Sequence, residues 1–356
     1  MINSIITGTG CCIPDTVVRN SSFLTAQFFG KDGEKLYQSN QSIIEKFKSV
    51  TGIEERRYAT QDQNASDLGY IAAAEAIETA AIDKESLDYL IVAHNFGDVA
   101  FESNRVSQVP SIASRIKARL EIHNPDCVAY DIAFGCPGWV EALIQANCFV
   151  KSGTAKRCLV VGAETLSRII DVHDRDSMIF SDGAGAVVLE ATTSGSAGIM
   201  AHKSQTYAVD YTHVLAMHRS CSPYVKDKSE LFLKMQGRKV YEFALKHVPV
   251  MMKELLDKAG ITIDQVSKIL LHQANEKMDK AIVTRLFQLY ERAGGIEQIL
   301  PMTIKTLGNS SVATVPTMLD LLLKGKLTGH TVRSGDILVL ASVGAGMNIN
   351  ALIYQV

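Results

Sequence analysis

The 356-residue sequence lacks the cysteine pattern of a metal-binding or disulfide-stabilised protein. It contains seven cysteines, an odd number, and no two of them form a C-x-x-C motif. They are Cys11, Cys12, Cys127, Cys136, Cys148, Cys158 and Cys221. Because paired ligand spacing is missing, we expect neither a disulfide framework nor a bound metal.

The sequence also lacks an excess of one charge and long apolar runs. Lysine and arginine number 36 against 38 acidic residues, so no overall basic field points to nucleic acid. No apolar run approaches the ~20 residues that span a membrane. The N-terminus shows no basic segment followed by an apolar one, as a secretory signal requires. We therefore expect a cytoplasmic protein without nucleic-acid or membrane partners, and the 47% hydrophobic content predicts a large buried core.

One order of helix, turn and strand occurs twice along the chain. Residues 72–95 place apolar residues at helical spacing before a polar turn and a short apolar run. Residues 250–275 have the same order. A histidine follows the apolar run in each case, His94 in the first and His272 in the second.

The alternation of helices and strands predicts an α/β protein with mostly parallel sheets. The duplication predicts two similar halves related by a pseudo-twofold axis, residues 1–195 and residues 196–356. Each half closes with a glycine-rich bend into a strand, at residues 182–189 and 343–347. The first half carries the candidate nucleophile, and the second carries a candidate histidine and asparagine.

The candidate nucleophile is Cys136, which follows a strand-like run ending at Gly135. Pro137 suits the first turn of a helix, where its missing N–H costs nothing. Cys136 is then predicted at the N-cap, where free N–H groups and the positive helix end favour a thiolate. The alternative interpretation is a buried, unreactive cysteine, and the local sequence leaves both open.

His272 and Asn309 are the candidate partners of this cysteine. His272 ends a buried strand, at the edge where open α/β sheets bind ligands, although a structural histidine is the alternative. Asn309 is either part of the site or a helix N-cap. Because Cys136 and Asn309 hold matching places in the two halves, a pseudo-twofold axis would bring them together.

Taken together, these motifs resemble the β-ketoacyl-acyl-carrier-protein synthase III family of condensing enzymes. The resemblance covers nearly the whole chain, and it implies the thiolase-like fold and normally a homodimer. In that fold, duplicated βαβαβαββ halves form a five-layered α-β-α-β-α core. The segments that carry the resemblance are residues 51–57, 135–138, 160–164, 180–186, 272–275, 308–311 and 344–346.

The resemblance implies a role for each candidate residue. Cys136 takes the acyl group of a thioester primer, and the backbone N–H groups of Cys136 and Ala345 form an oxyanion hole. His272 and Asn309 stabilise the enolate that forms when a malonyl thioester loses carbon dioxide. The implied pathway is fatty acid biosynthesis, and the implied substrates are acyl-CoA or acyl-ACP and malonyl-ACP. The implied partner is acyl-carrier protein, and no metal or redox cofactor is required.

The predicted entrance to the site departs from the family pattern. Many members hold the adenine end of coenzyme A with a tryptophan and an arginine that residues 45–50 lack, so we predict that acyl-carrier protein is the preferred primer donor. Further contacts to substrate or carrier are expected at Lys277, Lys280, Arg238, Trp139 and Val109. Core packing is the alternative for Trp139, and solvated surface charge is the alternative for the basic residues.

Three other functions fit part of this pattern. A specialised synthase of the same fold would make a diketone or resorcinol-type precursor in secondary metabolism, or would transfer acyl groups to oxygen or nitrogen. Papain-like hydrolases share the order Cys, His, Asn, but their C-G-S-C-W signature is absent. A non-catalytic partner subunit typically loses the nucleophile, whereas Cys136 is present.

Overall fold

The computed structural model describes residues 2–193 and 197–356. The predicted boundary between residues 195 and 196 lies outside the described residues. The strands are β1 (Asn3–Cys12), β2 (Thr16–Arg19), β3 (Glu55–Tyr58), β4 (Tyr89–His94), β5 (Asp98–Val99), β6 (Val106–Ser107), β7 (Val128–Ala133), β8 (Arg157–Thr165), β9 (Asp182–Thr192), β10 (Gly198–Thr206), β11 (Leu215–His218), β12 (Phe232–Met235), β13 (Val266–Leu271), β14 (Ile337–Gly344) and β15 (Asn348–Gln355). The helices are α1 (Asn40–Thr51), α2 (Ala65–Ala80), α3 (Ile112–Arg119), α4 (Gly138–Lys151), α5 (Ala208–Tyr211), α6 (Gly237–Ala259), α7 (Glu276–Gln288), α8 (Ile296–Ile299), α9 (Ile304–Leu307) and α10 (Thr314–Leu323).

Two main sheets form the body of the protein. The first has the strand order β1-β9-β8-β4-β7 and the second has the order β10-β15-β14-β13. In the first sheet β4 pairs in parallel with β7 and β8, while β9 is antiparallel to β8 and β1. In the second sheet β13 and β14 are parallel, while β15 is antiparallel to β14 and β10. One strand runs against the rest in each sheet, which confirms the predicted mostly parallel arrangement.

Helices separate and cover the two sheets. α2 and α3 pack on the outer face of the first sheet, and α6 packs on the second sheet with α7 against it. α4 and α10 contact strands of both sheets and lie between them. The resulting order of layers is α-β-α-β-α, which confirms the predicted five-layered fold.

The second half departs from the repeat at one place. The described residues of its sheet include no counterpart of β7, and α8 and α9 occupy that part of the chain. The buried side chain of Gln273 satisfies the backbone there instead. Its Nε2 donates to the carbonyl of Pro301 at 2.8 Å, and its Oε1 accepts from the N–H groups of Thr303 and Ile304 at 2.8 and 2.9 Å. One side chain thus replaces the hydrogen bonds of a neighbouring strand.

The central layer brings the starts of two helices to the same place. α4 begins just after Cys136, and α10 begins just after the segment that contains Asn309 and Ser311. Both helices are covered by apolar side chains from the facing sheets. Among residues 2–193 and 197–356, no helix combines the length and the apolar character needed to cross a bilayer.

Candidate active site

Cys136 lies in the turn between β7 and α4, at the base of a cavity of about 400 Å³. Gly135 makes this turn possible because its φ of +75° lies in the left-handed region. The N–H of Gly138 closes the turn by donating to the Gly135 carbonyl at 2.9 Å. Pro137 is the N-cap residue of α4, so the predicted N-cap position of Cys136 is wrong by one residue.

The expectation that this position favours a thiolate is also wrong. Burial raises the pKa of the Cys136 thiol to about 11. The Ser311 hydroxyl, whose oxygen lies 3.2 Å from Sγ, lowers this pKa, and the negative charge of Glu164 raises it further. Loss of water around the sulfur therefore outweighs the helix start, and the free enzyme holds Cys136 as a thiol.

His272 follows β13 and continues its pairing with β14, since its N–H donates to the Ala341 carbonyl at 2.8 Å. The residue is 2% exposed, and burial lowers the pKa of its imidazole to about 4. Near neutral pH the ring is therefore uncharged, with one N–H to donate. Its Nδ1 is buried and has no hydrogen-bond partner within the described residues, and the residue lines the cavity.

Asn309 is held through its backbone and its side-chain oxygen. Its N–H donates to the Ile179 carbonyl at 3.0 Å, and its carbonyl accepts from the Ser181 N–H at 2.8 Å. Its Oδ1 accepts from the Ser311 N–H at 2.8 Å. Because the amide oxygen is engaged, Nδ2 is the group that Asn309 offers to the cavity it lines. Asn309 is not the cap of α10, since a 3₁₀ turn (Ser311–Ala313) precedes that helix.

The two halves meet at these residues. The Ser311 hydroxyl donates to Cys136 Sγ at 3.2 Å, and the Ser311 backbone interacts with the His272 ring. β14 also approaches the cysteine closely, because a Cβ at Gly344 would lie 2.7 Å from the Cys136 nitrogen. We call Cys136, His272, Asn309, Ser311 and Ala345 the floor of the cavity, since all five line it.

Gln38 and four other exposed side chains line the mouth of the same cavity. The four others are Lys46, Val50, Arg175 and Arg238, and we call these four the entrance. Lys46 and Val50 belong to the segment predicted to lack the coenzyme A contacts. Three positive charges therefore surround a cavity whose remaining walls are largely apolar.

The two apolar side chains among the predicted contacts do not reach the cavity. Trp139 is 1% exposed and packs between the sheets, with its Nε1 donating to the Val160 carbonyl at 3.3 Å. The substrate contact predicted for Trp139 is wrong, and the core-packing alternative is correct, because the side chain packs in the central core. Val109 is 89% exposed on the surface before α3 and does not line the cavity of its own chain.

The predicted basic residues separate into two groups. Arg238 lines the entrance, and its guanidinium pairs with Glu242 at 2.8 Å. Lys277 is exposed at the start of α7, next to Met278, which lines the cavity. Lys280 does not reach the cavity, because it lies one turn further along α7 and pairs with Glu276 at 2.7 Å.

Sequence reasoning gave no role to four residues that stand at the site, Asn95, Glu164, Arg175 and Ser311. Asn95 and Glu164 are polar residues directly after or at the end of buried strands, a pattern that marks ligand edges of open sheets. This pattern would have been sufficient to identify both residues from the sequence. Arg175 begins a 3₁₀ turn (Arg175–Ile179), and no local pattern indicates its position at the entrance.

One further group in the described residues has the composition of a metal site. Ligand atoms of Cys11, Glu75 and Asp320 lie within 4.8 Å of one another. The ammonium of Lys324 lies 2.6 Å from each of the two carboxylates. A positive charge therefore already neutralises this cluster, and the expected absence of a metal remains a prediction.

Comparison with known proteins identifies one family. The family model of 3-oxoacyl-[acyl-carrier-protein] synthase III matches residues 130–208, and its C-terminal model matches residues 256–356. A β-ketoacyl-[acyl-carrier-protein] synthase III of Paracoccus denitrificans is 33% identical over 98% of this chain and 97% of its own. The solved structure of a synthase III from Thermus thermophilus is 30% identical, has a TM-score of 0.79, and is matched over 99% of this chain and 98% of its own. The priming β-ketosynthase of the R1128 polyketide pathway is 26% identical, with a TM-score of 0.81 over 99% of this chain and 96% of its own.

Proposed function

The chain belongs to the 3-oxoacyl-[acyl-carrier-protein] synthase III family of condensing acyltransferases, and from this we propose that it joins an acyl primer to malonyl-ACP through a thioester on Cys136. The pathway that the family indicates is fatty acid biosynthesis. The observation that carries the proposal is the convergence of Cys136, His272 and Asn309, from opposite halves, on one cavity.

The first step transfers the primer to the enzyme. The Cys136 sulfur attacks the primer carbonyl, the carrier thiol leaves, and the cysteine proton passes to that leaving thiolate. The charge that develops on the carbonyl oxygen is stabilised by the backbone N–H groups of Cys136 and Ala345. The Ser311 hydroxyl supports the sulfur while it carries negative charge, because it already donates to Sγ at 3.2 Å.

The second step makes the carbon nucleophile. Malonyl-ACP binds with its thioester carbonyl between His272 and Asn309 and loses carbon dioxide, which leaves an enolate. Burial keeps the His272 pKa near 4, so the ring is neutral and donates through its single N–H. Asn309 donates through Nδ2, because the Ser311 N–H occupies its oxygen. Both donors act where charge appears, so they stabilise the enolate more than the bound substrate.

The third step forms the carbon–carbon bond. The enolate carbon attacks the carbonyl of acyl-Cys136, and the tetrahedral intermediate collapses with release of the Cys136 thiolate. The product is a β-ketoacyl thioester on the carrier protein, and a proton returns the cysteine to its thiol form. These steps move acyl groups and release carbon dioxide, so they require no redox cofactor and no metal.

The proposal includes a carrier-protein partner, a second copy of the chain and a cytoplasmic location. The positive residues Lys46, Arg175 and Arg238 surround the mouth of the cavity and suit an acidic carrier protein. Exposed apolar side chains at Val106 and Val109 suit contact with a second copy in a homodimer. The proposed division into residues 1–195 and 196–356 fits the assignment of the two main sheets to separate parts of the chain.

A second candidate function is that of a specialised synthase, which would use the same floor residues to start the synthesis of another product. Two observations favour it: the entrance has Lys46 and Val50 in the segment that lacks the coenzyme A contacts, and the chain resembles a priming ketosynthase of a polyketide pathway. Release of carbon dioxide from malonyl-ACP, with identification of the product, separates condensation from acyl transfer to oxygen or nitrogen.

The experiment that tests the main proposal maps the acyl-enzyme. The protein is incubated with a panel of acyl-ACP and acyl-CoA donors, digested, and analysed by peptide mass spectrometry. We expect one acylated peptide, which contains Cys136. The matched control is Cys148→Ala, since Cys148 is exposed and lies near the end of α4, the helix that follows Cys136.

The two variants give opposite expectations. Cys148→Ala should acylate like the native protein, and Cys136→Ala should show no adduct and no condensation. An acyl group on another cysteine of the Cys136→Ala protein, with continued product formation, contradicts the proposal.

A further inference from the structure

Three polar side chains form a continuous chain of hydrogen bonds that ends on the Cys136 sulfur. Ser311 Oγ donates to Sγ at 3.2 Å, and Asn95 Nδ2 donates to Ser311 Oγ at 2.9 Å. Asn95 Nδ2 also donates to Glu164 Oε2, and the same carboxylate oxygen accepts from the Asn95 backbone N–H at 2.8 Å. These contacts link the ends of β4 and β8 to the start of the 3₁₀ turn before α10.

We infer that Asn95 and Glu164 are positioning residues, which fix the Ser311 hydroxyl so that it donates to the Cys136 sulfur. The inference rests on the proposed role of Cys136 as the nucleophile. Neither residue touches the sulfur in these contacts; both act through Ser311.

The direction of each hydrogen bond in this network follows from which atoms can donate and which can only accept. Above its pKa of about 7 the Glu164 carboxylate is ionised and only accepts hydrogen bonds, so Asn95 turns its NH₂ group toward it. The second hydrogen of that NH₂ group then points at Ser311 Oγ, which accepts it. Ser311 has one hydrogen of its own, and the remaining direction for it is the sulfur. A reversed Asn95 amide would place its oxygen against the carboxylate, which is unfavourable.

This arrangement acts when the sulfur is negative. A hydroxyl that donates to a thiolate stabilises it both as the attacking group and as the leaving group. Burial opposes ionisation and raises the pKa of Cys136, so a fixed donor has a large effect here. The charge of Glu164 acts in the opposite direction, because it raises the pKa of the cysteine. The favourable contribution of Glu164 is therefore the orientation of Asn95.

The backbone of Ser311 indicates that its position is closely specified. Its φ is +53°, in the left-handed region that residues other than glycine seldom adopt. Its N–H donates to Asn309 Oδ1 at 2.8 Å, so the same residue orients Asn309 and contacts Cys136. Such conformations persist where surrounding contacts hold them, and the link to Asn95 is one of these contacts.

Several titratable groups surround the chain of hydrogen bonds. Burial raises the pKa of Glu164 to about 7, and the nearby His94 imidazole lowers it in part. The Nε2 of His94 lies 3.0 Å from Asp131 Oδ2, and its Nδ1 accepts from the Gly97 N–H. Two further titratable residues lie nearby. His272 is on the floor, and the negative charge of Asp182 raises the pKa of Glu164.

The test follows the ionisation of Cys136 without any acyl substrate. Iodoacetamide reacts with the thiolate, so the alkylation rate of the Cys136 peptide is measured by mass spectrometry across a series of pH values. Leucine is neutral and similar in size to asparagine. We expect Asn95→Leu to raise the midpoint of the pH dependence of alkylation by about one pH unit, because the hydrogen bond from Ser311 to the charged sulfur is weakened. At one fixed pH below the midpoint, alkylation becomes about tenfold slower.

Further variants make the test specific. Ser311→Ala should give a similar upward shift, and Asn95→Leu added to Ser311→Ala should give no additional shift. Asn95→Ser is too short to reach both partners and should shift the midpoint like Asn95→Leu, which covers the case in which the leucine variant does not fold. Asn104→Leu is the matched control in the same loop, where Asn104 contacts Leu231, and it should keep the native midpoint.

The outcomes separate this inference from the proposed function. An unchanged midpoint in Asn95→Leu and Asn95→Ser, or shifts that add in the double variant, overturns the inference. A native protein that alkylates with the expected pattern but forms no acyl-enzyme overturns the proposed function and leaves the positioning of Cys136 intact.

Discussion

The floor and the entrance of the cavity are built in different ways. The polar floor residues His272, Asn309 and Ser311 are buried. Asn309, which is 4% exposed, is fixed by backbone hydrogen bonds to Ile179 and Ser181. At the entrance the side chain of Arg238 is 91% exposed and pairs with a neighbour on its own helix. A buried, fixed donor stabilises developing charge strongly, whereas an exposed ion pair is screened by water. The difference implies that the floor sets the rate of the chemistry and the entrance sets which carrier is used.

The largest effect is expected on the floor. His272→Ala and Asn309→Ala should each slow malonyl decarboxylation by about 10²–10³-fold, the usual cost of losing one donor to an oxyanion. Self-acylation of Cys136 should fall less, because neither side chain is assigned to the sulfur or to the oxyanion hole. Separate assays of carbon dioxide release and acyl-enzyme formation measure the two steps.

The exposed His213 supplies a matched substitution for this comparison. His213→Ala should behave like the native protein in both assays. Equal losses of acylation and decarboxylation in His272→Ala would contradict the assignment of His272 to the decarboxylation step alone.

The next effect concerns stability and pH. The pKa of His272 is about 4 in the folded protein and 6.5 for an ordinary histidine, so between these values the unfolded chain binds the proton more readily. The stability that comes from this difference is present above pH 6.5 and is lost as pH falls toward 4. Between pH 7 and pH 5 the loss should be about 2 kcal/mol.

Chemical denaturation at pH 7 and at pH 5 measures this loss in the free energy of unfolding. In His272→Gln the ionisation is removed, so its loss of stability over the same range should be smaller by about 2 kcal/mol. Parallel pH dependence in the native protein and this variant would show that His272 ionises normally and that its burial has no such consequence.

The sequence was sufficient to predict the fold and to name every floor residue except Ser311 as a candidate. Helix and strand periodicity, together with the duplicated order, predicts the layers because each depends on local apolar spacing and on burial of both sheet faces. Cys136, His272 and Asn309 stand beside strand ends or helix starts, where local sequence determines backbone geometry. The environment of Cys136 was predicted wrongly, since desolvation depends on packing from the other half of the chain.

The entrance was harder to predict because its residues come from separate segments without a common pattern. Lys46 lies on α1, Arg175 in a 3₁₀ turn and Arg238 on α6. Whether an exposed side chain lies near the cavity depends on how these segments pack. Trp139 illustrates the same limit, because a position three residues after Cys136 faces the core when α4 lies between two sheets. Resemblance to a family supplied candidates there, but the direction of each side chain needed the structure.

A moderate effect is expected where a carrier protein would dock. Lys277→Glu should lower kcat/KM for an acyl-ACP donor by about tenfold at low ionic strength and by less at high ionic strength, because an acidic partner would meet a reversed charge. Acyl-CoA bearing the same acyl group should be used less well than acyl-ACP by the native protein. Lys280→Glu is the matched change one turn along α7, where Lys280 pairs with Glu276, and it should have a smaller effect. Preference for acyl-CoA, with unchanged use of acyl-ACP by Lys277→Glu, would contradict docking of a carrier protein at this end of α7.

The smallest effect is expected for Arg238→Gln, and its form is more informative than its size. Arg238 lines the cavity mouth, so a bound carrier arm would meet it equally before and during the reaction. An interaction of equal strength in the ground state and the transition state changes KM and leaves kcat unchanged. Because the guanidinium is exposed and shared with Glu242, KM for acyl-ACP should rise only about threefold. The stability of the folded protein should not change measurably, because the side chain is exposed to water. Arg238→Lys keeps the charge and should retain most of the native KM. A fall in kcat for Arg238→Gln would place this residue with the floor and would remove the distinction between the two regions.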